Sequence, residues 1–305
     1  MKTVRLRLPA TSANLGPGFD AMALALELFL EIEATPAPRF SIIASGRNRN
    51  ICAGLTGNLL LQTYEAVLSA ERRQVVPLEI HMGNGIPIGM GCGSSAAVRL
   101  AGVALASAFG NLHWDAAKIV DYAAVLEGHP DNVAACWHGG LAIAASAPKL
   151  AIVSIPPPAQ WSAFLVLPEI PVATAKAREM LPRNYERKDV VLSVQRVALL
   201  TAAFAFGRAD LMPLATQDRL HQPYRMQLCP LLPALLPLAG SCGVMSVTLS
   251  GAGPAVLLLM QAPEDEATRK ETLKQAILQL ARPVCPVEIL STQLCHEGAE
   301  MSLGD

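Results

Sequence analysis

The sequence predicts an α+β protein built from two domains. Its 305 residues are about twice the length of a typical single domain, so the chain has room for two cores. Segments with the two-residue period of a half-buried strand are interspersed with segments of helical spacing. Three consecutive prolines at 156–158 interrupt this pattern near the middle of the chain. We therefore expect an N-terminal domain over residues 1–156 and a C-terminal domain over residues 157–305.

Strands are predicted from alternation or from short apolar runs bounded by turn residues. The alternation is strict over residues 3–8, where Val4, Leu6 and Leu8 share one face. It recurs over residues 22–32, where it outweighs the helix propensity of several residues. The other predicted strands cover residues 78–82, 141–145, 150–155, 163–167, 244–249, 255–260 and 287–290.

Helices are predicted where apolar residues recur three and four positions apart. The predicted helices cover residues 58–73, 94–109, 116–127, 189–206, 208–216 and 265–281. Asp115 precedes the third of them as an N-cap. Helices and strands that are mostly compatible with antiparallel pairing occur in both halves, which is typical of the α+β class.

Composition excludes several classes of protein. The chain is 52% apolar and 16% charged, with a net charge of −1, so it is neither disordered nor equipped to bind nucleic acid or an anionic membrane. No apolar run approaches the roughly 18 residues that a membrane span needs, and the N-terminus lacks the apolar core of a signal peptide. Seven scattered cysteines without a Cys-x-x-Cys pair indicate reduced thiols. We expect a cytoplasmic protein.

A glycine-rich segment, Pro-Ile-Gly-Met-Gly-Cys-Gly-Ser-Ser-Ala-Ala over residues 87–97, opens the predicted helix 94–109. Its glycines at every second position allow left-handed backbone and close approach of a ligand. The unpaired N–H groups and the positive dipole end of the helix favour an anion. We therefore interpret this segment as a phosphate loop; a flexible turn capped by Ser94 is the alternative.

The residues around this segment limit which class of phosphate loop it can be. The absence of lysine between residues 3 and 117 excludes a Walker A loop. Gly91-x-Gly93-x-x-Ala96 matches the dinucleotide fingerprint, but no second strand ending in an acidic residue follows. The segment 93–97 also resembles a nucleophile elbow without its last glycine, which leaves a hydrolase as a further alternative.

Three other segments concentrate polar side chains or glycines. Pro-Ala-Thr-Ser-Ala-Asn-Leu-Gly-Pro-Gly-Phe-Asp over residues 9–20 is predicted as a loop between two strands. Glu-Gly-His-Pro-Asp-Asn over residues 127–132 gathers acids, an imidazole and an amide at a helix end, and Ser-Gly-Ala-Gly-Pro over residues 250–254 joins two strands. Each segment alone is also compatible with an ordinary turn or cap.

Taken in order along the chain, these four segments resemble the motifs of the GHMP small-molecule kinases. Within that superfamily, the residues 9–20, 127–133 and 218–225 (Asp-Arg-Leu-His-Gln-Pro-Tyr-Arg) are similar to the homoserine kinase family. The resemblance implies an N-terminal domain like the second domain of a ribosomal small-subunit protein and a ferredoxin-like C-terminal domain. It also implies transfer of the γ-phosphoryl group of MgATP to the side-chain hydroxyl of L-homoserine, and family members are often homodimers.

The resemblance further implies a set of site residues. Arg178 and Arg225 would hold the substrate carboxylate and Asp20 its ammonium. The substrate-binding set is Asn14, Asp20, His129, Thr174, Arg178, Arg225 and Gly251. The ATP-binding set is Pro87, Ile88, Gly89, Met90, Gly91, Cys92, Gly93, Ser94, Ser95, Ala96 and Ala97.

Magnesium and catalysis are assigned on the same basis. Ser95 and Glu127 are the implied Mg²⁺ ligands, with Ser94 and Asp121 as competitors. The implied catalytic set is Asn132, Asn14 and Arg178. Asn132 stands where mevalonate-type kinases have an aspartate base, so direct in-line transfer without a strong base is expected, since positioning and charge neutralisation carry phosphoryl transfer; an Asp131 base is the alternative.

Other readings stay open at the level of sequence. One is a GHMP kinase for another alcohol, such as mevalonate, and a second is a catalytically silent GHMP-fold sensor. Cys92 stands where the superfamily usually has leucine, which suggests that thiol reagents would affect the site.

Overall fold

The computed structural model describes residues 2–146, 149–171, 173–261 and 266–304, without the side chains of residue 174 and residues 266–269. The strands are β1 Thr3–Asn14, β2 Gly18–Pro36, β3 Ser41–Gly46, β4 Leu78–Asn84, β5 Leu141–Ala145, β6 Ala151–Ile155, β7 Trp161–Pro168, β8 Val244–Leu249, β9 Val256–Gln261, β10 Val287–Gln293 and β11 Glu300–Gly304. The helices are α1 Arg49–Cys52, α2 Leu59–Ala70, α3 Ser94–Phe109, α4 Ala116–Glu127, α5 Asp131–His138, α6 Thr174–Glu179, α7 Arg187–Ala205, α8 Met212–Ala215, α9 Gln222–Arg225, α10 Leu231–Leu235 and α11 Glu266–Ala281.

The first sheet has seven strands and follows the order β11-β1-β2-β4-β3, with β5 on the other end of β2 and β6 beside β5. Strand β2 is 19 residues long, so its first part pairs with β5 and its second part with β4. All pairings in this sheet are antiparallel except that of β3 with β4. Helices α2, α3, α4 and α5 pack together, and α3 and α5 contact β1 and β2.

The second sheet is antiparallel with the order β10-β7-β9-β8. Phe164 and Leu258 on one face pack with Leu232 of α10 and Ile277 of α11. Alternate residues of the same strands, such as Leu165, belong to the core cluster of the first sheet. Because side chains alternate between the faces of a strand, the second sheet contributes to both cores. The α+β fold with two sheets is the predicted class.

The chain passes from the first sheet to the second between Ile155 and Trp161, at the three prolines. Strand β11 then returns and pairs with β1, with Val4 opposite Leu303. Residues 300–304 are therefore part of the first sheet. The limits 1–156 and 157–305 stay a prediction, and pairing between the two chain ends has no local signal in the sequence.

Most periodic segments form the predicted element within a few residues. Helices α3 and α4 have the predicted bounds, and the Asp115 carboxylate caps α4 by accepting from the Lys118 N–H at 2.8 Å. Strands β3 and β11, helix α5 and the shortest helices were not predicted, because few residues carry their periodicity. Residues 208–216 form a 3-10 turn and the four-residue helix α8, since Pro213 interrupts the hydrogen bonding of a longer helix.

The predicted loop over residues 9–20 is wrong for most of its length. Strand β1 continues to Asn14, β2 begins at Gly18, and only residues 15–17 turn. Register shifts between Pro9 and Ala10 and between Ala13 and Asn14 accommodate the irregular sequence, as bulges do. None of the described helices is long and apolar enough to cross a membrane.

Candidate active site

A cavity of about 480 Å³ gathers the polar segments that the sequence analysis singled out. Its lining comes from the β1–β2 hairpin, α1 and the turn before α2, the end of β4, the start of α3, the segment from the end of α4 into α5, helices α6 and α9, and the segment between β8 and β9. Six of the seven predicted substrate-binding residues line it: Asn14, Asp20, His129, Arg178, Arg225 and Gly251. The seventh, Thr174, begins α6, and its side chain lies outside the described part of the structure.

The phosphate loop forms the wall of this cavity at the N-terminus of α3. Gly89, Gly91 and Gly93 all have left-handed backbone, with φ of +73°, +78° and +70°, which L side chains rarely adopt. Gly93 is the N-cap of α3, and no side chain caps that end of the helix. Because the first N–H groups of a helix lack partners within it, this end can bind an anion.

Seven of the eleven predicted ATP-binding residues line the cavity, namely Ile88, Gly89, Gly91, Cys92, Gly93, Ser94 and Ser95. The side chains of the other four lie elsewhere. Pro87 and Met90 line a neighbouring groove, and Ala96 and Ala97 are fully buried in the core. Their role in nucleotide binding stays a prediction that rests on the motif.

The segment 250–254 joins the phosphate loop to the β1–β2 hairpin. The Ser250 hydroxyl donates to the Gly91 carbonyl at 2.8 Å, and the Gly251 N–H donates to the Ala13 carbonyl at 3.1 Å. The Asn14 amide donates to the Gly251 carbonyl at 2.9 Å. Movement of any one of these three segments therefore disturbs the other two.

Asn14 is held by backbone on both sides of its amide. Its Nδ2 donates to Gly251, and its Oδ1 accepts from the Asp20 N–H at 3.1 Å. Its φ of +73° belongs to the left-handed region, which asparagine tolerates better than most residues. These bonds give Asn14 a role in shaping the hairpin; its predicted contact with the reacting hydroxyl stays a prediction.

The predicted metal ligands Ser95 and Glu127 lie next to one another on the cavity wall. The Ser95 hydroxyl donates to Glu127 Oε2 at 2.9 Å, and Arg99 Nε lies 2.8 Å from the same oxygen. Asp121 is exposed and does not line the cavity, which favours Glu127 over it. Arg99, one helical turn after Ser95, had no signal in the sequence that set it apart from a surface arginine.

One hydroxyl and one carboxylate fit magnesium when phosphate oxygens and waters complete its octahedron. Among the described residues, His, Cys, Asp and Glu side chains form no cluster of three or more that could hold a metal ion. A site built only from protein ligands is thus absent from that part of the chain, whereas Ser95 and Glu127 suit a cation that arrives with a phosphate ligand.

Asp20 and Arg178, which the sequence analysis assigned to opposite ends of the substrate, bind each other. Arg178 donates from Nη1 to Asp20 Oδ2 at 2.9 Å and from Nη2 to Oδ1 at 2.6 Å. This hydrogen-bonded carboxylate raises the pKa of Arg178. The side chains remain 39% and 35% exposed for Arg178 and Asp20, respectively, so a ligand that carries both a carboxylate and an ammonium can reach both partners.

Arg225 is a buried cation, with 2% of its surface exposed. It donates to the carbonyls of Ala177 and Gly251, each at 3.3 Å, and its Nη1 lies 3.1 Å from His221 Nδ1. Within the described residues no carboxylate lies within 4.0 Å of its nitrogens. Burial lowers the pKa of Arg225. In the part of the chain that the structure describes, this buried guanidinium is thus held only by neutral acceptors in direct contact.

The surroundings of Arg225 were not predicted. His221 is fully buried; its Nε2 donates to the Gly16 carbonyl at 2.8 Å, which leaves Nδ1 to accept from Arg225. Desolvation lowers the pKa of His221, in agreement with this neutral tautomer. Phe19 stacks on His221 and lies 5.3 Å from the Arg225 guanidinium carbon and 5.6 Å from that of Arg178, so its ring supports both cations.

The segment 127–132 orients three polar side chains through Asp131. Asp131 Oδ1 accepts from His129 Nδ1 at 2.9 Å, from the Asn132 N–H at 2.6 Å and from Asn132 Nδ2 at 3.1 Å. Asp131 is 1% exposed. The hydrogen bond with Asp131, the charge of Asp131 and, to a smaller extent, the charge of Glu127 raise the pKa of His129. Desolvation and the charge of Arg178 act in the opposite direction but are outweighed.

The raised pKa of His129 leads to a prediction about stability. The imidazolium is favoured in the folded protein, so its contribution is fully present below the ordinary pKa of about 6.5 and is lost as pH rises through the raised value. We expect His129→Gln to lower the free energy of unfolding, measured with urea, more at about pH 6 than at about pH 9. The difference between the two pH values should shrink in an Asp131→Asn background. An equal loss at both pH values would contradict the pairing.

The environment of Cys92 does not favour the expected sensitivity to thiol reagents. It is 1% exposed, and desolvation raises its pKa to about 12. Since the thiolate is the reactive form, we expect iodoacetamide to leave Cys92 unmodified in the folded protein while it alkylates the exposed Cys242. Peptide mass spectrometry after a timed reaction measures both, and modification of Cys92 at the rate of Cys242 would show that the loop opens.

Part of the cavity lining is apolar and was not predicted from the sequence. Ile51, Cys52, Leu60 and Ile86 line it. Asn58 shapes it by capping α2, because its Oδ1 accepts from the Leu60 N–H at 3.0 Å while its Nδ2 donates to the Gly54 carbonyl at 2.8 Å. An Asn before a helix was visible in the sequence, but the apolar surface comes from three separate segments.

Comparison with known proteins identifies relatives over most of the chain. The GHMP kinases N terminal domain matches residues 58–140, and the GHMP kinases C terminal family matches residues 202–281. The homoserine kinase of Solibacter usitatus is 43% identical over 258 residues, which cover 84% of each chain, and that of Thermus thermophilus is 40% identical over 87% of this chain and 89% of its own. The crystal structure of homoserine kinase from Cytophaga hutchinsonii shares the fold, with a TM-score of 0.81, 23% identity and coverage of 98% and 97%.

Proposed function

The chain belongs to the homoserine kinase family of the GHMP kinases, and on this premise we propose that it transfers the γ-phosphoryl group of ATP to the side-chain hydroxyl of L-homoserine. The products are O-phospho-L-homoserine and ADP. The observation that carries the choice of substrate is the buried Arg225, which contacts no carboxylate among the described residues, beside the accessible Asp20–Arg178 ion pair. The carboxylate of an α-amino acid can pair with the Arg225 guanidinium. Its carboxylate and ammonium can also replace the two partners of the Asp20–Arg178 ion pair.

The nucleotide is proposed to occupy the part of the cavity between the apolar lining residues and the start of α3. The purine would lie against Ile51, Leu60 and Ile86, and the phosphates against the N–H groups of residues 93–95. Charge–dipole attraction and direct hydrogen bonds to backbone favour the phosphates there. This arrangement explains how ATP can be bound without a lysine in the phosphate loop.

Ser95 and Glu127 would hold Mg²⁺, which neutralises phosphate charge as it develops in the transfer. Their oxygens already lie 2.9 Å apart on the cavity wall. The carboxylate of Glu127 is fixed through one oxygen by Ser95 and Arg99. The Ser95 hydroxyl would coordinate magnesium through an oxygen lone pair, which its donation to Glu127 leaves available.

The amino acid is proposed to bind with its carboxylate at Arg225 and Arg178 and its ammonium at Asp20. Opening the Asp20–Arg178 pair exposes one negative and one positive side chain. A zwitterion pairs with both of them, whereas a ligand with a single charge leaves either Asp20 or Arg178 without a partner. His129 also lines the cavity. Selectivity for an α-amino acid over a diol or a hydroxy acid follows from this charge arrangement.

Transfer itself is proposed to proceed in line, without a strong base. The substrate hydroxyl oxygen bonds to the γ-phosphorus as the bond from phosphorus to the bridging oxygen of ADP breaks, and the hydroxyl proton leaves to phosphate or water. A loose transition state needs positioning and charge neutralisation more than proton abstraction. Asn132 is the amide proposed to orient the hydroxyl, with Asn14 shaping the hairpin beside it.

A coupled assay of ADP release tests this function. With ATP and Mg²⁺ we expect turnover of L-homoserine, and none of mevalonate, 4-hydroxybutanoate, which lacks the ammonium, or 3-aminopropanol, which lacks the carboxylate. Turnover of mevalonate would identify a kinase for another alcohol. ATP binding by calorimetry without turnover of any acceptor would identify a sensor.

We further propose that the protein works in the cytoplasm and forms a homodimer. All seven cysteines are free thiols, which suits a reducing compartment. Fractionation of cells that express a tagged chain, and light scattering of the purified protein, test these two proposals. Small-molecule substrates are the only partners that the site chemistry requires.

A further inference from the structure

The side-chain amide of Asn132 is held between two buried residues. The Thr11 hydroxyl donates to Asn132 Oδ1 at 2.6 Å, and Asn132 Nδ2 donates to Asp131 Oδ1 at 3.1 Å. Thr11 is fully buried and Asn132 is 9% exposed. Asn132 lines the cavity and Thr11 does not, so Thr11 can reach the reacting groups only through Asn132.

These contacts determine which way the amide faces. Asp131 Oδ1 also accepts from His129 Nδ1 and from the Asn132 backbone N–H, so it acts as an acceptor toward its neighbours. The amide edge that faces it must be the NH₂ group, because the reverse orientation would place two acceptor oxygens 3.1 Å apart. Oδ1 consequently faces Thr11, whose hydroxyl has a proton to donate.

The phosphate loop keeps the Thr11 hydroxyl in place. A Cβ added at Gly93 would overlap Thr11 Oγ1 and lie 3.2 Å from Asn132 Oδ1. The Thr11 N–H also donates to the Cys92 carbonyl at 3.1 Å. The hydrogen bond between Thr11 and Asn132 is therefore packed directly against the N-cap of α3, where the phosphates are proposed to bind.

We propose that Thr11 is a positioning residue for phosphoryl transfer, which fixes the orientation of the Asn132 amide toward the reacting groups. This inference rests on the proposed function. With Thr11 and Asp131 as partners, the amide retains one N–H hydrogen and one oxygen lone pair for ligands. Without the Thr11 hydroxyl, the amide can rotate about its terminal torsion, which is broad for asparagine, and its Oδ1 loses a buried donor.

The matched variants Thr11→Ser and Thr11→Ala test this proposal. Serine keeps the hydroxyl and alanine removes it, while both lack the methyl group. We expect Thr11→Ala to lower kcat about tenfold or more relative to Thr11→Ser, with KM for ATP and homoserine changed less than about threefold. In an Asn132→Ala background the two Thr11 variants should have the same kcat. Equal kcat of the two single variants, or a difference that persists without Asn132, would overturn the proposal.

A measurement without turnover separates this inference from the proposed function. In protein labelled with ¹⁵N-asparagine, we expect the side-chain amide signals of Asn132 to shift and to exchange faster with solvent in Thr11→Ala than in Thr11→Ser. Thermal unfolding and ATP calorimetry establish that both variants are folded and bind the nucleotide. Inactive wild-type protein would contradict the proposed function alone, whereas unchanged amide signals in Thr11→Ala would contradict the orienting role.

Discussion

Arg225→Met is expected to lower kcat/KM for L-homoserine by about 100-fold or more, with little change in ATP affinity. The guanidinium is buried and lacks a carboxylate partner within the described residues, so the substrate carboxylate would supply the missing charge. Methionine keeps much of the apolar volume of arginine but offers no donor. The carboxylate of the substrate would then have to leave water for a site that holds only Arg178.

The same substitution is expected to leave the free energy of unfolding unchanged or to raise it by up to about 2 kcal/mol. Burying a charge against neutral acceptors costs free energy, and the lowered pKa of Arg225 reflects that cost. Methionine removes it, although His221 Nδ1 loses its donor. Lost activity with retained stability would show that the buried charge serves ligand binding.

Steady-state kinetics with each substrate varied, together with urea unfolding, measure both effects. Arg208→Met is the matched control, because Arg208 pairs with Asp210 on the surface, and we expect it to leave kcat/KM unaltered. A loss in kcat/KM below about tenfold would contradict the assignment of the carboxylate to Arg225. A large loss of stability in Arg225→Met would instead give the guanidinium a structural role.

Features that depend on residues close together along the chain were predicted from the sequence. Helix α3, the glycines of its phosphate loop and the Asp115 cap each follow from a few consecutive side chains, and the structure contains them as predicted. The six predicted substrate-binding residues that line one cavity were chosen from motif resemblance. Chemical types and positions along the chain thus predicted side chains that the structure brings together in one cavity, while their roles stay a prediction.

The sequence could not predict which of these groups bind one another. Asp20 and Arg178 are 158 residues apart, and Thr11 and Asn132 are 121 apart, so their pairing depends on tertiary structure that periodicity does not encode. The burial of a side chain likewise depends on tertiary structure. Sensitivity to thiol reagents was expected because Cys92 stands where the superfamily usually has leucine, yet burial of Cys92 raises its pKa to about 12.

Gly91→Ala is expected to impair both substrate sites at once. Gly91 has φ of +78°, and an added Cβ would overlap the Ser250 carbonyl oxygen and lie 3.0 Å from that of Gly253. Both are backbone atoms, which cannot rotate away as a flexible side chain can. The phosphate loop and the segment 250–254 would have to separate, and the hydrogen bond from Ser250 to the Gly91 carbonyl would break.

Two costs add in this variant, and a control separates them. Left-handed backbone costs a residue with a Cβ about 1–2 kcal/mol, and the steric overlap adds to it. Gly240→Ala isolates the first cost, because Gly240 has φ of +83° and nothing lies within 4 Å of an added Cβ. We expect Gly91→Ala to lower the free energy of unfolding by about 2 kcal/mol more than Gly240→Ala, as overpacking does.

The kinetic consequence distinguishes a coupled site from two independent ones. Because Gly251 accepts from Asn14 and Ser250 donates to Gly91, separating the loops moves the nucleotide wall and the amino-acid wall together. We expect Gly91→Ala to lower kcat/KM for ATP and for L-homoserine each by about 100-fold, and Gly240→Ala to leave both near the wild-type values. A loss confined to ATP would mean that the segment 250–254 tolerates displacement of the phosphate loop, and that the two substrates occupy mechanically separate sites.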